Sequence, residues 1–184
     1  MTAAVVRAVV RAREAGATLP AGLLDRALDE LARMRMADGS FDYMIGPGGR
    51  ALGSQTRAPG AAGRGPACAL ALLRGGRAGV DVLRRALDLW LEHRAGLARE
   101  RGKSLMHTGA DGQGSHYLMF DYAGIADAIA ALPADQRDPY RNALLQEVLR
   151  MRTTEGAFLD TPINGPDYGT AMALRCLRAL EGER

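Results

Sequence analysis

Apolar residues recur along this chain with the three- and four-residue spacing of α-helices, and no stretch alternates convincingly as a β-strand would. Segments with one apolar and one charged face are predicted to be amphipathic outer helices at 2–15, 23–37, 80–100 and from Asp138 onward. Asp138 is expected to be the N-cap of the last of these helices, with Pro139 in the first helical position.

Three further helical segments are apolar on nearly every side: "GPACALALLRG" (65–75), "SHYLMFDYAGIADAIAAL" (115–132) and "DYGTAMALRCLRAL" (167–180). A helix that is hydrophobic around its whole circumference is buried on all sides. Because amphipathic and apolar helices alternate along the chain, the sequence predicts an all-α protein with an inner layer of buried helices inside an outer layer of amphipathic ones.

Parts of the sequence are repeated. The segments "RMRMADGSFDY" (33–43) and "RMRTTEGAFLD" (150–160) share five of eleven residues, and an acidic residue precedes the glycine in both. The buried helices that follow also align, "GPACALALLR" (65–74) with "GTAMALRCLR" (169–178). We therefore predict a single domain, 1–184, of helical hairpin repeats with units at about 1–64, 65–114 and 115–184.

The shared acid-Gly-x-Phe motif is interpreted as structural. Gly39 and Gly156 are expected to adopt a left-handed conformation that ends an outer helix, and Gly112 marks the third turn. Phe41 and Phe158 are then expected to bury their rings between neighbouring hairpins.

Composition and charge narrow the function classes. The net charge is +3 with acids and bases interspersed, so no surface for nucleic acid is predicted. No apolar run is long enough to span a membrane, and Arg7 and Arg11 interrupt the apolar run that a signal peptide needs, so a cytoplasmic protein is expected. Cys68 and Cys176 have no CxxC partner and are predicted to be buried thiols. No metal or cofactor is predicted.

A charged outer helix ending in acid-Gly-x-aromatic, followed by a loop and an Ala-rich buried helix, resembles the α/α-toroid repeats of squalene–hopene cyclases and protein prenyltransferases. The segments "RMADGSF" and "RTTEGAF" keep the Gly-x-aromatic of the cyclase repeat, with Arg35 and Arg152 in place of its Gln and Phe in place of its Trp. The segments 165–180 and 115–132 look like toroid inner helices, the latter similar to bacterial squalene-cyclase-like proteins. The resemblance covers about residues 20–180 and implies a partial or small α/α toroid.

The chain departs from these families in its chemistry and size. It lacks the Asp-x-Asp-Asp motif of the cyclases, the Asp-x-Cys of the prenyltransferase zinc site and the thioester motif of complement-type toroids. Its seven predicted helices are about half of those that close a toroid in these families. An open half-ring would expose apolar surface, so a second copy, a missing partner domain or a ring closed with fewer helices is expected to cover it.

In a toroid the inner helices begin at one end, where the loops 42–64, 103–115 and 159–167 would gather. Three helix N-termini at this rim would favour an anion. Arg64, just before a buried helix, is the best-placed cation for an anionic ligand. A solvated loop arginine or a salt bridge between repeats is the structural alternative.

The candidate ligand-binding residues of the rim are Arg64, His116, Tyr117, Asp121, Asp167 and Tyr168. Asp121, one turn into a buried helix, needs a partner such as Arg64 or a tyrosine hydroxyl, or else has a raised pKa suited to proton transfer. Asp167 and Tyr168 could instead cap their own helix. His107 and His116 lack the four-residue spacing of a metal-binding pair.

Three functions stay open from the sequence. The first is a module that binds a small ligand or peptide at the rim without catalysis, which the absent motifs favour. The second is a divergent enzyme of the cyclase or prenyltransferase type, with Asp121 or His116 as acid or base. The third is a scaffold subunit whose apolar face docks another helix or a second copy.

Overall fold

The computed structural model describes residues 2–43, 57–103, 108–112 and 117–181. Within these ranges the helices are α1 (Thr2–Glu14), α2 (Leu23–Arg33), α3 (Ala58–Ala61), α4 (Gly65–Arg74), α5 (Val80–Arg99), α6 (Leu118–Ala130), α7 (Asp138–Leu149) and α8 (Gly165–Glu181). A short 3-10 helix at Ala134–Gln136 joins α6 to α7. The described ranges contain no β-strand beyond two isolated bridges, so the predicted all-α fold is confirmed.

The helices form two layers, as the alternating pattern predicted. In the inner layer α6 packs against α4 on one side and α8 on the other. The outer helices cover this layer, with α2 and α5 packed on α4, and α7 packed on α6 and α8. α1 also packs mainly against α4 and leaves most of its surface exposed or half-exposed, as predicted for an outer helix. Its two fully buried valines, Val6 and Val10, form the stripe that contacts the core.

Burial separates α8 from the other two inner helices. Most residues of α4 and α6 are buried, including Leu70 in α4 and Ile125 in α6. α8 buries only one face, and Leu174 on its other side is 59% exposed. The prediction that this helix is buried on all sides is therefore wrong. It lies at the edge of the layer, where α6 and α7 are its main neighbours.

The repeated motif folds into the same tight turn twice. Arg35 pairs with Phe41, and Arg152 pairs with Phe158, in isolated antiparallel bridges. The backbone hydrogen bonds also match between the copies: Met36 to Ser40 at 2.8 Å in the first and Thr153 to Ala157 at 2.7 Å in the second. Both phenylalanine rings are buried, as predicted.

Gly39 and Gly156 have φ angles of 91° and 90°, so the left-handed conformation predicted for them is confirmed. The position of these two glycines relative to the helices differs from the prediction. Both glycines lie in the tight turn and not at a helix end, since α2 already ends at Arg33 and α7 at Leu149. The chain leaves the helix early because it must reverse to form the bridge.

Helix boundaries differ from the predicted ones in two further places. Asp138 is the first residue of α7 and not its N-cap, a position that Arg137 occupies without a side-chain hydrogen bond. Pro139 lies in the first turn, where its missing N–H costs no helical hydrogen bond. The short helix α3 falls within a segment that was predicted to be a loop.

Both cysteines are buried and free, as predicted. Along the part of the chain that the structure describes, we found no helix with both the length and the apolar character needed to cross a membrane.

Candidate functional site

The N-terminal ends of α4, α6 and α8 meet at one end of the inner layer. The Oδ2 atom of Asp121, in the first turn of α6, lies beside Gly63 just ahead of α4, 2.8 Å from where a Cβ on that glycine would stand. At the junction of α6 and α8 the rings of Tyr117 and Tyr168 meet edge to face, with 6.1 Å between their centroids. We call this end of the molecule the rim and define it by Asp42, Tyr43, Arg64, Tyr117, Asp121, Asp160, Asp167 and Tyr168.

Arg64 is hydrogen-bonded to the backbone of its own repeat. Its Nε donates to the carbonyl oxygen of Phe41 at 3.1 Å, and its Nη1 donates to that of Gly60 at 2.7 Å. The guanidinium group also lies 5.3 Å from the ring centroid of Tyr43. Burial lowers the pKa of Arg64, and nearby ionisable side chains partly offset this shift. Arg64 therefore fastens the first turn and α3 to the start of α4.

Asp121 is partly buried and lies close enough to Arg64 to raise the pKa of that guanidinium group. This proximity agrees with the predicted partnership between the two residues. Asp121 also lies near the neighbouring inner helix, since its negative charge helps to raise the pKa of Tyr168.

The two rim tyrosines differ in exposure. Tyr117 is 52% exposed, whereas Tyr168 is half-buried. Burial is the main reason that the pKa of Tyr168 rises to about 12, and the nearby charges of Asp160 and Asp121 raise it further. A half-exposed aromatic pair therefore lies next to two carboxyl groups.

Asp160 is a candidate residue that sequence reasoning missed. It is fully buried, and burial raises its pKa to about 6, although the backbone N–H groups of Met119 and Leu118 and the Asn164 side chain favour its charged form. Among the described residues none of these contacts reaches full hydrogen-bond geometry. In the repeat alignment Asp160 stands where the first copy has Tyr43. That substitution is the sequence signal that could have identified it.

The remaining predicted site residues are placed less centrally. Asp167 is exposed in the first turn of α8. The Thr170 hydroxyl accepts a hydrogen bond from the N–H of Phe158 at 3.0 Å, so the start of α8 is tied to the second turn. His107 and His116 lie outside the described residues. Within the described ranges no three His, Cys, Asp or Glu side chains gather as metal ligands would.

Carboxyl groups outnumber cations among the described rim residues. Arg64 is opposed by four acids, which are Asp42, Asp121, Asp160 and Asp167. The helix N-termini contribute a partial positive charge that favours an anion, as expected from the sequence. The four acidic side chains favour a cation instead. The guanidinium group of Arg64 already donates to two carbonyl oxygens.

Two cavities are lined by described residues. The first lies away from the rim, and the second lies next to it. One of about 610 Å³ lies between the C-terminal ends of α5 and α7, and it is lined by Arg94, Ala95, Ala98, Arg99, Arg101, Glu147 and Arg150. Arginines are favourable at helix C-termini, which accounts for their number there. The other, of about 190 Å³, is lined by residues of α1, α6 and α8, including Phe120, the neighbour of Asp121 in the sequence.

Comparisons of this chain with protein-family models, with curated proteins and with solved structures found no match. Function is therefore inferred from the geometry of the rim and the cavities.

Proposed function

We propose that this chain is a helical-repeat binding module, built as a partial α/α toroid, that holds a small ligand or peptide at the rim without catalysing a reaction. The observation that carries the proposal is the edge-to-face pair of Tyr117 and Tyr168 beside the carboxyl groups of Asp121 and Asp160. Aromatic faces and carboxylates both attract cations. The ligand class that fits best therefore carries an amine or a guanidinium group.

The charge balance of the rim supports a cationic ligand over an anionic one. The hydrogen bonds from Arg64 to Phe41 and Gly60 fix its guanidinium group in place. Asp42 and Asp160 are buried, but Asp167 is exposed and Asp121 is partly exposed, and these two carboxylates would repel an anion and attract an ammonium group. The anionic ligand expected from the helix N-termini alone is less favoured for this reason.

A binding role is also supported by the sequence, which lacks the acid motif of the cyclases and the zinc motif of the prenyltransferases. Asp121, a candidate catalytic acid in the sequence, lies close to Arg64. A divergent enzyme is less favoured, because the carboxyl of Asp160, whose pKa is raised to about 6, is fully buried and out of reach of a substrate.

The test uses N-acetyl-lysine methylamide as the cationic probe and N-acetyl-norleucine methylamide as its neutral counterpart. Binding is followed by amide chemical shifts in NMR spectra of the whole chain. We expect the cationic probe to shift amides of residues 117–121 and 167–170, and the neutral probe to bind several-fold more weakly. Equal binding of both probes, or shifts far from the rim, would contradict the proposal.

Two substitutions at exposed rim positions sharpen this test. Tyr117→Leu removes a ring and is expected to weaken the cationic probe about two- to fivefold, the effect of a cation–π contact at an exposed site. Asp167→Asn removes a surface charge and should have a smaller effect in the same direction. Asp135→Asn is the matched control, since Asp135 is also exposed but follows the C-terminal end of α6. If Asp135→Asn weakens binding of the cationic probe as much as Asp167→Asn does, the binding depends on the overall charge of the protein and not on the rim.

A further inference from the structure

The cavity between α1, α6 and α8 combines small size with an unusual charge. Its volume is about 190 Å³. That is room for about six water molecules at their liquid volume, and less than the 300–1,000 Å³ of typical drug-sized sites. Its lining residues are Ala4, Arg7, Ala8, Arg11, Phe120, Gly124 and Arg175.

One carboxylate, that of Asp127, accepts hydrogen bonds from two of the three arginines. Arg7 of α1 and Arg175 of α8 both donate to the same oxygen atom, Oδ2 of Asp127, the second at 2.9 Å. Asp127 is itself largely buried, with 12% of its side chain exposed. Together with Arg11, the cluster has three positive charges and one negative charge, a net charge of +2.

Arg7 is the buried member of the cluster. Its side chain is only 10% exposed, and its Nε atom has no hydrogen-bond partner among the described residues. Burial lowers the pKa of Arg7; Asp127 raises it, and the neighbouring charges of Arg11 and Arg175 lower it further. The excess positive charge of the cluster is unfavourable, and an oxyanion in the cavity would offset it.

The other walls of the cavity are apolar. Phe120 is 43% exposed, and Ala4 and Ala8 offer only methyl groups. Gly124 has no side chain to fill the base of the cavity. A Cβ on this residue would stand 3.1 Å from the Cβ of Ala67 and 3.7 Å from Nη1 of Arg7. A ligand that fits must therefore have a charged end for the arginines and an apolar part for Phe120.

We infer that this cavity is a second binding site, separate from the rim site, for a small oxyanion. The ligand is a phosphate monoester or a carboxylate whose apolar part packs against Phe120, and the arginines hold its oxygen atoms. The inference does not depend on the function proposed for the rim, because none of the arginines of the cavity belongs to the rim.

Isothermal titration calorimetry with phenyl phosphate, benzoate, inorganic phosphate and benzyl alcohol tests this inference. Phenyl phosphate or benzoate should bind most tightly, inorganic phosphate more weakly because it lacks the apolar part, and benzyl alcohol weakest. If benzyl alcohol binds as tightly as both anions, the arginines have no part in recognition and the inference is wrong. If inorganic phosphate binds as tightly as phenyl phosphate, Phe120 has no part and the stated ligand class is wrong.

Matched variants separate the cavity from general electrostatics. Arg11→Gln and Arg175→Gln are expected to weaken the bound anion about five- to tenfold, the loss of a charge-assisted contact at a partly exposed site. Arg13→Gln and Arg178→Gln remove the same charge from exposed positions on the same two helices and outside the cavity. These controls should change the affinity less than twofold. Equal weakening by all four variants would overturn the inference.

The fold of each variant is checked by its thermal unfolding without ligand. Arg11 is exposed and makes no ion pair with Asp127, so Arg11→Gln is expected to unfold like the wild type. If Arg175→Gln does not fold, the affinities of Arg11→Gln and Arg13→Gln for the anion are compared, and this comparison alone decides the question.

Discussion

The backbone of Gly169 packs directly against the carbonyl group of Phe158. A Cβ on this glycine would stand 2.2 Å from the carbonyl oxygen of Phe158 and 3.0 Å from the backbone nitrogen of Asp160. Any side chain at this position would therefore push the second turn away from α8. The contact holds the turn, the buried acid and the last helix together at the rim.

We predict that Gly169→Ala lowers the free energy of unfolding by about 1–3 kcal/mol, because the rigid backbone of the turn cannot move aside without loss of packing. Gly65 occupies the same place in the first copy of the repeat, but a Cβ there would only meet that of Ala86 at 3.9 Å. Gly65→Ala should leave stability unchanged or raise it slightly. Urea unfolding of both variants measures the difference, and equal losses would contradict this account.

The buried carboxyl of Asp160 should make stability depend on pH. The folded protein binds a proton at Asp160 up to about pH 6, whereas the unfolded chain releases it near pH 3.8. Stability due to this group therefore falls as the pH rises from about 4 to about 6, and stays lower above that range. Asp160→Asn removes the titration and should raise the free energy of unfolding at neutral pH by about 1–3 kcal/mol.

Urea unfolding of the wild type and Asp160→Asn between pH 4 and pH 8 measures this effect. The two stabilities should be closest near pH 4, separate as the pH rises to about 6, and differ by a constant amount above it. A constant difference across the range would mean that the folded protein does not hold Asp160 in its protonated form.

Asp127 should be the acid on which the arginine cluster of the cavity depends. Asp127→Asn leaves Arg7 and Arg175 without a counter-charge, so we expect a loss of about 2–4 kcal/mol, since Arg7 is buried. Inorganic phosphate should restore more of this stability than chloride at the same ionic strength. The exposed Asp135→Asn serves as the control and should change little. Thermal unfolding in the two salts measures the rescue, and equal effects of both salts would rule out a specific anion site.

The two thiols should be unreactive in the folded protein. Burial raises the pKa of Cys68 and of Cys176 to about 12, so each is almost entirely protonated at neutral pH. Both should resist iodoacetamide in buffer and react in urea. Mass spectrometry of the alkylated chain counts the modified thiols, and rapid alkylation of either one without urea would show that its helix opens easily.

Most of the fold could be predicted from the sequence because it depends on hydrophobic periodicity. The uniformly apolar segments 65–75 and 115–132 correspond to α4 and α6, the two most buried helices. The same reasoning failed for α8, because an alanine-rich helix can lie at the edge of a layer as well as inside it.

The candidate site could be predicted only in part. The convergence of helix N-termini followed from the alternation of inner and outer helices, and it placed Tyr117, Asp121 and Tyr168 together. The burial of Asp160 could not be predicted, because it depends on the packing of the second turn against α6 and α8. The hydrogen bonds of Arg64 to backbone carbonyls could not be foreseen either, since they depend on the fold of its loop.

The duplicated turn has a consequence for the order in which the chain assembles. Its closing hydrogen bonds join residues only three to eight positions apart, such as Gly39 to Met36 and Asp42 to Met34. Contacts this local lose little chain entropy when they form. The two turns, one near each end of the sequence, can therefore form before the helices between them have found their partners.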